Sequence, residues 1–268
     1  EIGVRLVGSE MCIRDSIGRA NEWCSKLAVR IGAMPVITTA TDARGMFAVD
    51  IFATEHNMRI VNPVMIKDIS GRILNNEPVG ITGNDKYKNL LKVTEERWNG
   101  QIKYTDNSNN EYESGVQIIT GKDDKIVFKR TLKLVPQELA VGIGCKKGKS
   151  AHEIERAVKK TFDKAGLLLE AIAVVASVDR KADEAGIIEF ARKCKVPYKT
   201  YTPEYLRDVE GDFVSSAFVE EQIGVGNVCE RSAGAASSGG EKLVGKTADN
   251  GVTVAIYRVC LLYTSPSP

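Results

Sequence analysis

The chain has 268 residues, of which 43% are hydrophobic and 27% are charged, a composition typical of a globular protein long enough for two modest domains. Its formal net charge is only +2, from 37 Lys and Arg against 35 Asp and Glu, which argues against nucleic acid or an anionic membrane as the main partner. No apolar run approaches the roughly 20 residues of a membrane-spanning helix, and no signal-peptide pattern is found, so we expect a cytoplasmic protein.

The cysteines and histidines indicate neither a disulfide framework nor a metal site. The six cysteines are scattered without a C-x-x-C pair, and the two histidines, His56 and His152, lie far apart in the sequence. The sequence therefore predicts no metal held by the protein and no histidine-based catalytic triad.

The two ends of the chain look foreign to the rest. Residues 1–16 and 260–268 resemble translated adapter sequence, so we exclude them and expect an N-terminal portion of the first domain to be missing. Residues 20–31 (ANEWCSKLAVRI) have the apolar spacing of a helix, residues 34–41 (MPVITTAT) that of a strand, and residues 47–58 and 66–74 that of two more helices. Residues 17–78 are thus predicted to be a partial N-terminal α/β domain.

The second half of the chain alternates strand and helix patterns more clearly. Residues 79–137 combine short β-branched runs with Asn-rich turns, which predicts a small strand-rich connector. Residues 138–259 are predicted to be a C-terminal α/β domain. Its elements are strands at 140–144, 171–178 and 198–202, helices at 151–165, 182–194, from Pro203 and at 216–222, and a hairpin turning at Asp249-Asn250-Gly251.

The fold class expected from this order is α/β, with two three-layer α/β domains, the first incomplete, joined by the connector. The helix after residue 150 carries the clearest local signal, because Ser150 and Glu153 have the spacing of a capping box. Residues 171–178 (AIAVVASV) are continuously apolar, as expected for a strand that is buried on both faces.

The loop before that helix resembles two nucleotide-binding motifs and matches neither. In AVGIGCKKGKS the Walker A pattern would need a glycine where Ile143 stands, and the G-x-G-x-x-G pattern would need one where Lys147 stands. A glycine turn between a strand end and a helix N-terminus still suits an anion, through backbone N–H groups and the helix dipole. ATP or GTP binding remains an alternative hypothesis for this loop.

Four blocks of the C-terminal half, in order, carry a family resemblance: VGIGCKKGKSAHEIERAV, ASVDRKADEAGI, IGVGNVCERSA and KLVGKTADNGVTVAI. They resemble the C-terminal domain of the cobalt-precorrin-5A hydrolases of anaerobic cobalamin biosynthesis. Upstream, GRANEWCSKLAVRIGAMPVITTATDARGMFAVD resembles the end of that family's N-terminal domain. One departure is that Gly18-Arg19 stands where the family has a histidine and paired glycines.

The resemblance implies an enzyme that hydrolyses cobalt-precorrin-5A. Water opens a δ-lactone between the ring A acetate and C20, and a two-carbon unit leaves as acetaldehyde to give cobalt-precorrin-5B. It implies a cobalt-corrinoid small-molecule substrate and no separate cofactor, because cobalt arrives inside the substrate. A homo-oligomer or contacts with neighbouring pathway enzymes would be compatible with it. The alternative is a non-catalytic corrinoid-binding or carrier module of the same pathway.

This chemistry needs a base for water, a donor for the developing oxyanion, and groups that hold the substrate's carboxylates. Glu230 is the leading candidate for the base, although a Glu at a helix start is commonly structural. Lys246 is a candidate for contacting the oxyanion or a carboxylate, against the alternative of an exposed hairpin lysine. Asp179 follows the central buried strand and completes the expected catalytic set.

The expected substrate-binding residues come from the glycine turn and from the ends of strands. The alternative for the turn is that its glycines only let the chain bend and its lysines are solvated. The alternative for Thr38 is that it is an ordinary strand residue. The alternative for Asp183 or Glu184 is that it caps the next helix. The expected set is Gly144, Cys145, Lys146, Lys147, Gly148, Ser177, Lys181, Thr38, Thr39 and Asp42.

Overall fold

A computed structural model describes residues 46–106, 112–209, 213 and 227–260, with positions 3–4, 11–12 and 30. The chain divides into two compact units. The first is Glu1–Ile119 with Lys125–Leu134, and the second is Thr120–Asp124 with Val135–Pro268. Each unit contains a five-stranded sheet. The elements expected at 20–31, 34–41 and 216–222 lie outside the described residues, apart from position 30.

From residue 46 onward, where the structure describes it almost continuously, the first unit has a largely parallel sheet and three α-helices. Its strand order is β1-β5-β4-β2-β3, and β2 pairs in parallel with β3 and β4, as β4 does with β5. The elements in chain order are α1 (Val49–Glu55), β1 (Met58–Ile60), α2 (Ile66–Leu74), β2 (Val79–Thr82), α3 (Lys88–Arg97), β3 (Ile102–Tyr104), β4 (Ser114–Ile118) and β5 (Arg130–Pro136).

The helices of this unit pack on one face of its sheet in the part of the chain that the structure describes. Side chains alternate between the faces of a strand, so Val79 and Ile81 of β2 point to the same side. They share one buried cluster with residues of all three helices, among them Phe52, Ile73 and Leu91.

The boundary expected between residues 78 and 79 does not separate two cores. Ile69 and Ile73 of α2 lie in the same buried cluster as Val116 of β4, so the expected connector forms most of the first sheet. Short β-branched runs between Asn-rich turns do not reveal a parallel sheet, because parallel pairing joins distant segments. The sequence pattern of helix α3 also shows little apolar periodicity, since Leu91 and Thr94 are its only buried residues.

The second unit has a mixed sheet of order β8-β7-β6-β10-β9. Strands β6, β7 and β8 are parallel, while β10 pairs antiparallel with both β6 and β9. The elements in chain order are β6 (Leu139–Cys145), α4 (Ala151–Lys164), β7 (Ile172–Val178), α5 (Ala185–Cys194), β8 (Tyr198–Tyr201), α6 (Pro203–Asp208), α7 (Val228–Ser237), β9 (Lys242–Asp249) and β10 (Val252–Arg258).

Local signals in this unit are confirmed. Ser150 and Glu153 form a reciprocal capping box at the start of α4. The hairpin turns at Asn250 and Gly251, both with positive φ, as a two-residue turn of this sequence requires. Helix α5 begins at Ala185 rather than 182, because Asp179–Lys181 first makes a 3-10 turn.

The sheet lies between two helical layers, which confirms the three-layer expectation for this unit. Helix α7 packs on one face through small side chains, including Cys229 and Ala233 against Ala140 and Ala255. Helix α4 lies on the opposite face, where Thr161 hydrogen-bonds to Thr247 of β9. The small residues let α7 approach the sheet so closely that Gly142 has no room for a side chain.

Candidate functional site

The ends of β6, β7 and β8 meet at one edge of the second sheet, which we call the carboxyl edge. Because the three strands are parallel, Cys145, Val178 and Tyr201 all end there. The N-terminus of α7 reaches the same edge, since Val228 packs against Val178. Open α/β sheets bind ligands outside the carboxyl ends of their strands, so this is the expected place for a site.

The backbone N–H groups of the glycine turn are largely used within the protein. Lys146 N–H donates to the carbonyl of Gly251 (3.0 Å), and Gly148 N–H donates to Glu184 Oε1 (2.7 Å). The turn was expected to hold a substrate carboxylate through such groups. At Gly148 the protein's own carboxylate takes that place.

A structural network surrounds Glu184 and also contains Lys181. Lys181 Nζ donates to Glu184 Oε2 (2.8 Å), and the carbonyl of Lys181 accepts from Tyr198 Oη (2.8 Å). Burial pushes the pKa of Glu184 upward, but hydrogen bonds from Lys181 and Gly148 outweigh it and hold that pKa below its ordinary value. Lys181 is therefore committed to a protein carboxylate rather than free for a substrate.

Two lysines of the turn remain available to a ligand. Lys146 and Lys147 are exposed, and neither ammonium forms an ion pair within the described residues. Cys145 is half-buried, and burial raises the pKa of its thiol, which disfavours a thiolate. Gly144 lies against Thr253, whose Oγ1 donates to the Gly144 carbonyl (3.2 Å).

Ser177 and Asp179 follow each other closely in sequence but have different environments. Ser177 is fully buried, and its Oγ donates to the carbonyl of Ile143 (2.7 Å). It therefore links β7 to β6, which corrects its expected role in substrate binding. Asp179 is exposed at the carboxyl edge, where a ligand could reach it.

Glu230 and Lys246 come together on the α7 face of the sheet. Glu230 is only 2% exposed, and its Oε1 accepts a hydrogen bond from Lys246 N–H. Its Oε2 lies 3.9 Å from Lys242 Nζ but has no hydrogen-bond partner among the described residues. The carboxylate is thus fixed through one oxygen, and the other oxygen can still accept a proton.

A bulge in β9 explains why Glu230 reaches Lys246. Between Val244 and Thr247 the strand has two residues, Gly245 and Lys246, where β10 has only one. A bulge locally disrupts the hydrogen-bond ladder between two strands, and Lys246 N–H donates to Glu230 instead of to the neighbouring strand. Bulges of this kind are common beside active sites, where they redirect a residue.

Asn227 is a polar residue of this region that the sequence reasoning did not single out. It caps α7 in the left-handed conformation (φ 58°), and its Oδ1 accepts from Glu230 N–H (3.3 Å). It is 1% exposed, and within the described part of the chain its Nδ2 has no hydrogen-bond partner. The available signal was an Asn three residues before a Glu at a helix start.

A thiol and a phenol near Glu230 are held in their protonated forms. Burial raises the pKa of Cys229 to about 11, which argues against this thiol as a nucleophile. Burial, together with the charge of Glu230, raises the pKa of Tyr257 to about 12. Neither the thiol nor the phenol is therefore a candidate for the base, and Glu230 stays the predicted one.

An aromatic pair was also missed. The rings of Tyr201, at the end of β8, and Tyr205, in α6, stack with centroids 5.4 Å apart and planes 14° apart. Tyr205 is 54% exposed, so it presents an aromatic surface at the carboxyl edge. The sequence signal would have been two tyrosines flanking the Pro203 that starts α6.

The structure thus divides the expected site into two clusters on opposite faces of one sheet. Glu230 and Lys246 lie on the α7 face, whereas the glycine turn with Lys181 lies at the start of α4 and α5.

Thr38, Thr39 and Asp42 lie outside the described residues. Within the described part of the chain, no cluster of His, Cys, Asp and Glu could hold a metal ion. No described helix is long and apolar enough to cross a membrane.

Two family models match most of the described chain. One, described as "Cobalamin synthesis G C-terminus", matches residues 139–257, and the other, described as "Cobalamin biosynthesis central region", matches residues 47–136. The second match covers the whole first sheet, in agreement with the single core found there.

The chain is also similar to curated enzymes. It is 31% identical to the cobalt-precorrin-5A hydrolase of Salmonella typhimurium over 242 residues, which are 89% of this chain and 68% of that protein. It is 26% identical to the cobalt-precorrin-5A hydrolase of Priestia megaterium over 72% of this chain and 53% of that protein. Among solved structures, CobE, a protein from the cobalamin (vitamin B12) biosynthetic pathway, is 30% identical and covers 46% of this chain and 91% of its own, with a TM-score of 0.43.

Proposed function

Since this chain belongs to the cobalt-precorrin-5A hydrolase family, we propose that it hydrolyses cobalt-precorrin-5A. Water opens the δ-lactone that links the ring A acetate to C20, the two-carbon unit leaves as acetaldehyde, and cobalt-precorrin-5B is the product. Cobalt enters as part of the substrate, so the reaction needs no cofactor of its own. Within this proposal the protein works in the cytoplasm, as a homo-oligomer or beside neighbouring pathway enzymes.

The structural observation that carries the proposal is the carboxylate of Glu230. Lactone hydrolysis needs a base whose basic atom is not already occupied by a donor. Glu230 Oε1 is anchored by Lys246 N–H, while Oε2 accepts no hydrogen bond from any residue that the structure describes. A carboxylate fixed through one oxygen keeps its orientation while the other oxygen takes up the proton.

The proton balance of the first step follows from this arrangement. Glu230 Oε2 accepts a proton from water as the water oxygen bonds to the lactone carbonyl carbon. When the ring C–O bond breaks, the same proton passes to the departing alkoxide oxygen, which becomes a hydroxyl group. Loss of acetaldehyde then needs removal of the hydroxyl proton, and the electron pair of the broken C–C bond stays on the macrocycle.

The carboxyl edge offers matching contacts for the rest of the substrate. Lys146 and Lys147 are exposed cations for the acetate and propionate carboxylates of the ring. The exposed face of Tyr205 suits stacking against a flat macrocycle. Both features lie in the same unit as Glu230.

The test is acetaldehyde release from cobalt-precorrin-5A, with the Salmonella relative as the positive control for the assay. We expect Glu230→Gln to lower the release rate by roughly 10²–10⁴-fold, because the amide cannot act as a base. Glu189→Gln, on the exposed side of α5, is the matched control and should keep the wild-type rate. Tight substrate binding without any acetaldehyde would instead identify a carrier module.

A further inference from the structure

The first turn of α7 contains two buried polar atoms that have no hydrogen-bond partner among the residues that the structure describes. They are Nδ2 of Asn227, which is 1% exposed, and Oε2 of Glu230, which is 2% exposed. Buried donors and acceptors are normally satisfied, so each such atom calls for an explanation. Here one atom can only donate and the other, as a carboxylate oxygen, can only accept.

The two side chains are neighbours because of their positions on the helix. Asn227 is the N-cap and Glu230 the third residue of α7, and Asn227 Oδ1 accepts from Glu230 N–H. The same pair of positions at the start of α4 shows how close such side chains come, because Ser150 Oγ donates directly to Glu153 Oε2 (2.9 Å). At α7 this direct contact is absent, since Glu230 is drawn toward Lys246 N–H.

A donor and an acceptor in the same helical turn are a suitable pair of partners for one water molecule. The water oxygen accepts from Nδ2, one of its hydrogens donates to Oε2, and one lone pair of the oxygen stays free for attack. Lys242 does not fill this role in the present geometry, because its Nζ is 3.9 Å from Oε2.

We propose that Asn227 is a second polar group of the catalytic centre, whose Nδ2 holds the attacking water for Glu230. The inference rests on the proposed hydrolysis and adds the donor that orients the nucleophile. As the water oxygen bonds to the lactone carbonyl carbon, its proton passes to Glu230 Oε2. Asn227 stays neutral throughout and neither gains nor loses a proton.

The backbone at this position limits the choice of residue. A φ of 58° lies in the left-handed region, which Asn, Asp and Gly tolerate best. Asp would keep the helix cap and Gly would keep the backbone, but neither has an amide donor. Asn combines the cap, the conformation and the donor.

The experiment compares Asn227→Asp and Asn227→Gly with the unaltered protein, in acetaldehyde release and in thermal unfolding. The Asp variant keeps the cap and adds a charge, whereas the Gly variant loses the cap and stays neutral, so the lost donor is their shared change. We expect kcat to fall roughly 10²-fold in both, with KM little changed. Ser150→Gly removes the cap of α4 and serves as the control, with kcat retained.

A crystal structure of the unaltered protein gives a second measurement. It should show an ordered oxygen within hydrogen-bond reach of both Asn227 Nδ2 and Glu230 Oε2, and its absence would overturn the inference. Wild-type kcat in Asn227→Asp would also overturn it, because the water would then be structural only. If the unaltered protein releases no acetaldehyde, the hydrolase proposal itself fails, whereas activity in all variants removes only the role of Asn227.

Discussion

The substitution Gly142→Ala should destabilise the second unit strongly. A Cβ atom at this position of β6 would lie 2.8 Å from the amide nitrogen of Ala233 and closer still to the carbonyl oxygen of Cys229. Both obstacles are backbone atoms of α7, so the helix has to move away from the sheet. Overpacking of a buried contact costs about 1–3 kcal/mol, and we expect the upper end because no side chain can rotate aside.

The best assay for this effect is thermal unfolding followed by circular dichroism. A loss of about 3 kcal/mol corresponds to a fall in Tm of about 6–12 °C for a domain of this size. Gly234→Ala is the matched control on the same helix, because its new Cβ would meet Val209 only at an ordinary 3.5 Å. Equal Tm values for the two variants would refute the close packing of α7 on β6.

One pH effect on stability, one difference in cysteine reactivity and one binding effect can be checked in parallel. A hydrogen bond from Lys149 is the main reason why the pKa of Glu153 falls to about 2, from an ordinary 4.5. The ionised Glu153 carboxylate therefore stabilises the fold fully above about pH 4.5, and this stabilisation is lost as the pH falls toward 2. Glu153→Gln should flatten the acid-unfolding curve between these two pH values. Iodoacetamide at pH 8 should label exposed Cys260 and spare Cys229, as peptide mapping would show. Lys147→Ala should weaken substrate binding about threefold at low salt and less at high salt, measured by titration.

The features of the second unit that the sequence predicted well depend on neighbouring residues. A capping box joins residues three apart, and the hairpin turn at Asn250-Gly251 needs only two residues in the left-handed region. The apolar run of β7 likewise signals a strand buried between two layers. Such signals are readable because the physical cause lies within a few positions of its effect.

The features that the sequence did not predict depend on distant contacts. Nothing in the local pattern around Glu184 shows that its carboxylate accepts the N–H of Gly148, 36 positions earlier. Ser177 follows a strand as a ligand-binding residue would, yet its hydroxyl is used by Ile143 of the adjacent strand. The first sheet was divided at residue 78 for the same reason, since parallel strands pair only through long connections.

The position of Glu230 argues for a role beyond anchoring the β9 bulge. A neutral Gln could accept the same N–H from Lys246, and burying a charged carboxylate costs more than burying an amide. Apart from its pairing with Lys242 at 3.9 Å, a purely structural role does not need the charge, whereas proton transfer requires the carboxylate. Glu230→Gln separates the two: if the bulge is all that matters, the variant should be at least as stable and fully active. Retained stability with lost acetaldehyde release is the outcome that the charge at this buried position leads us to expect.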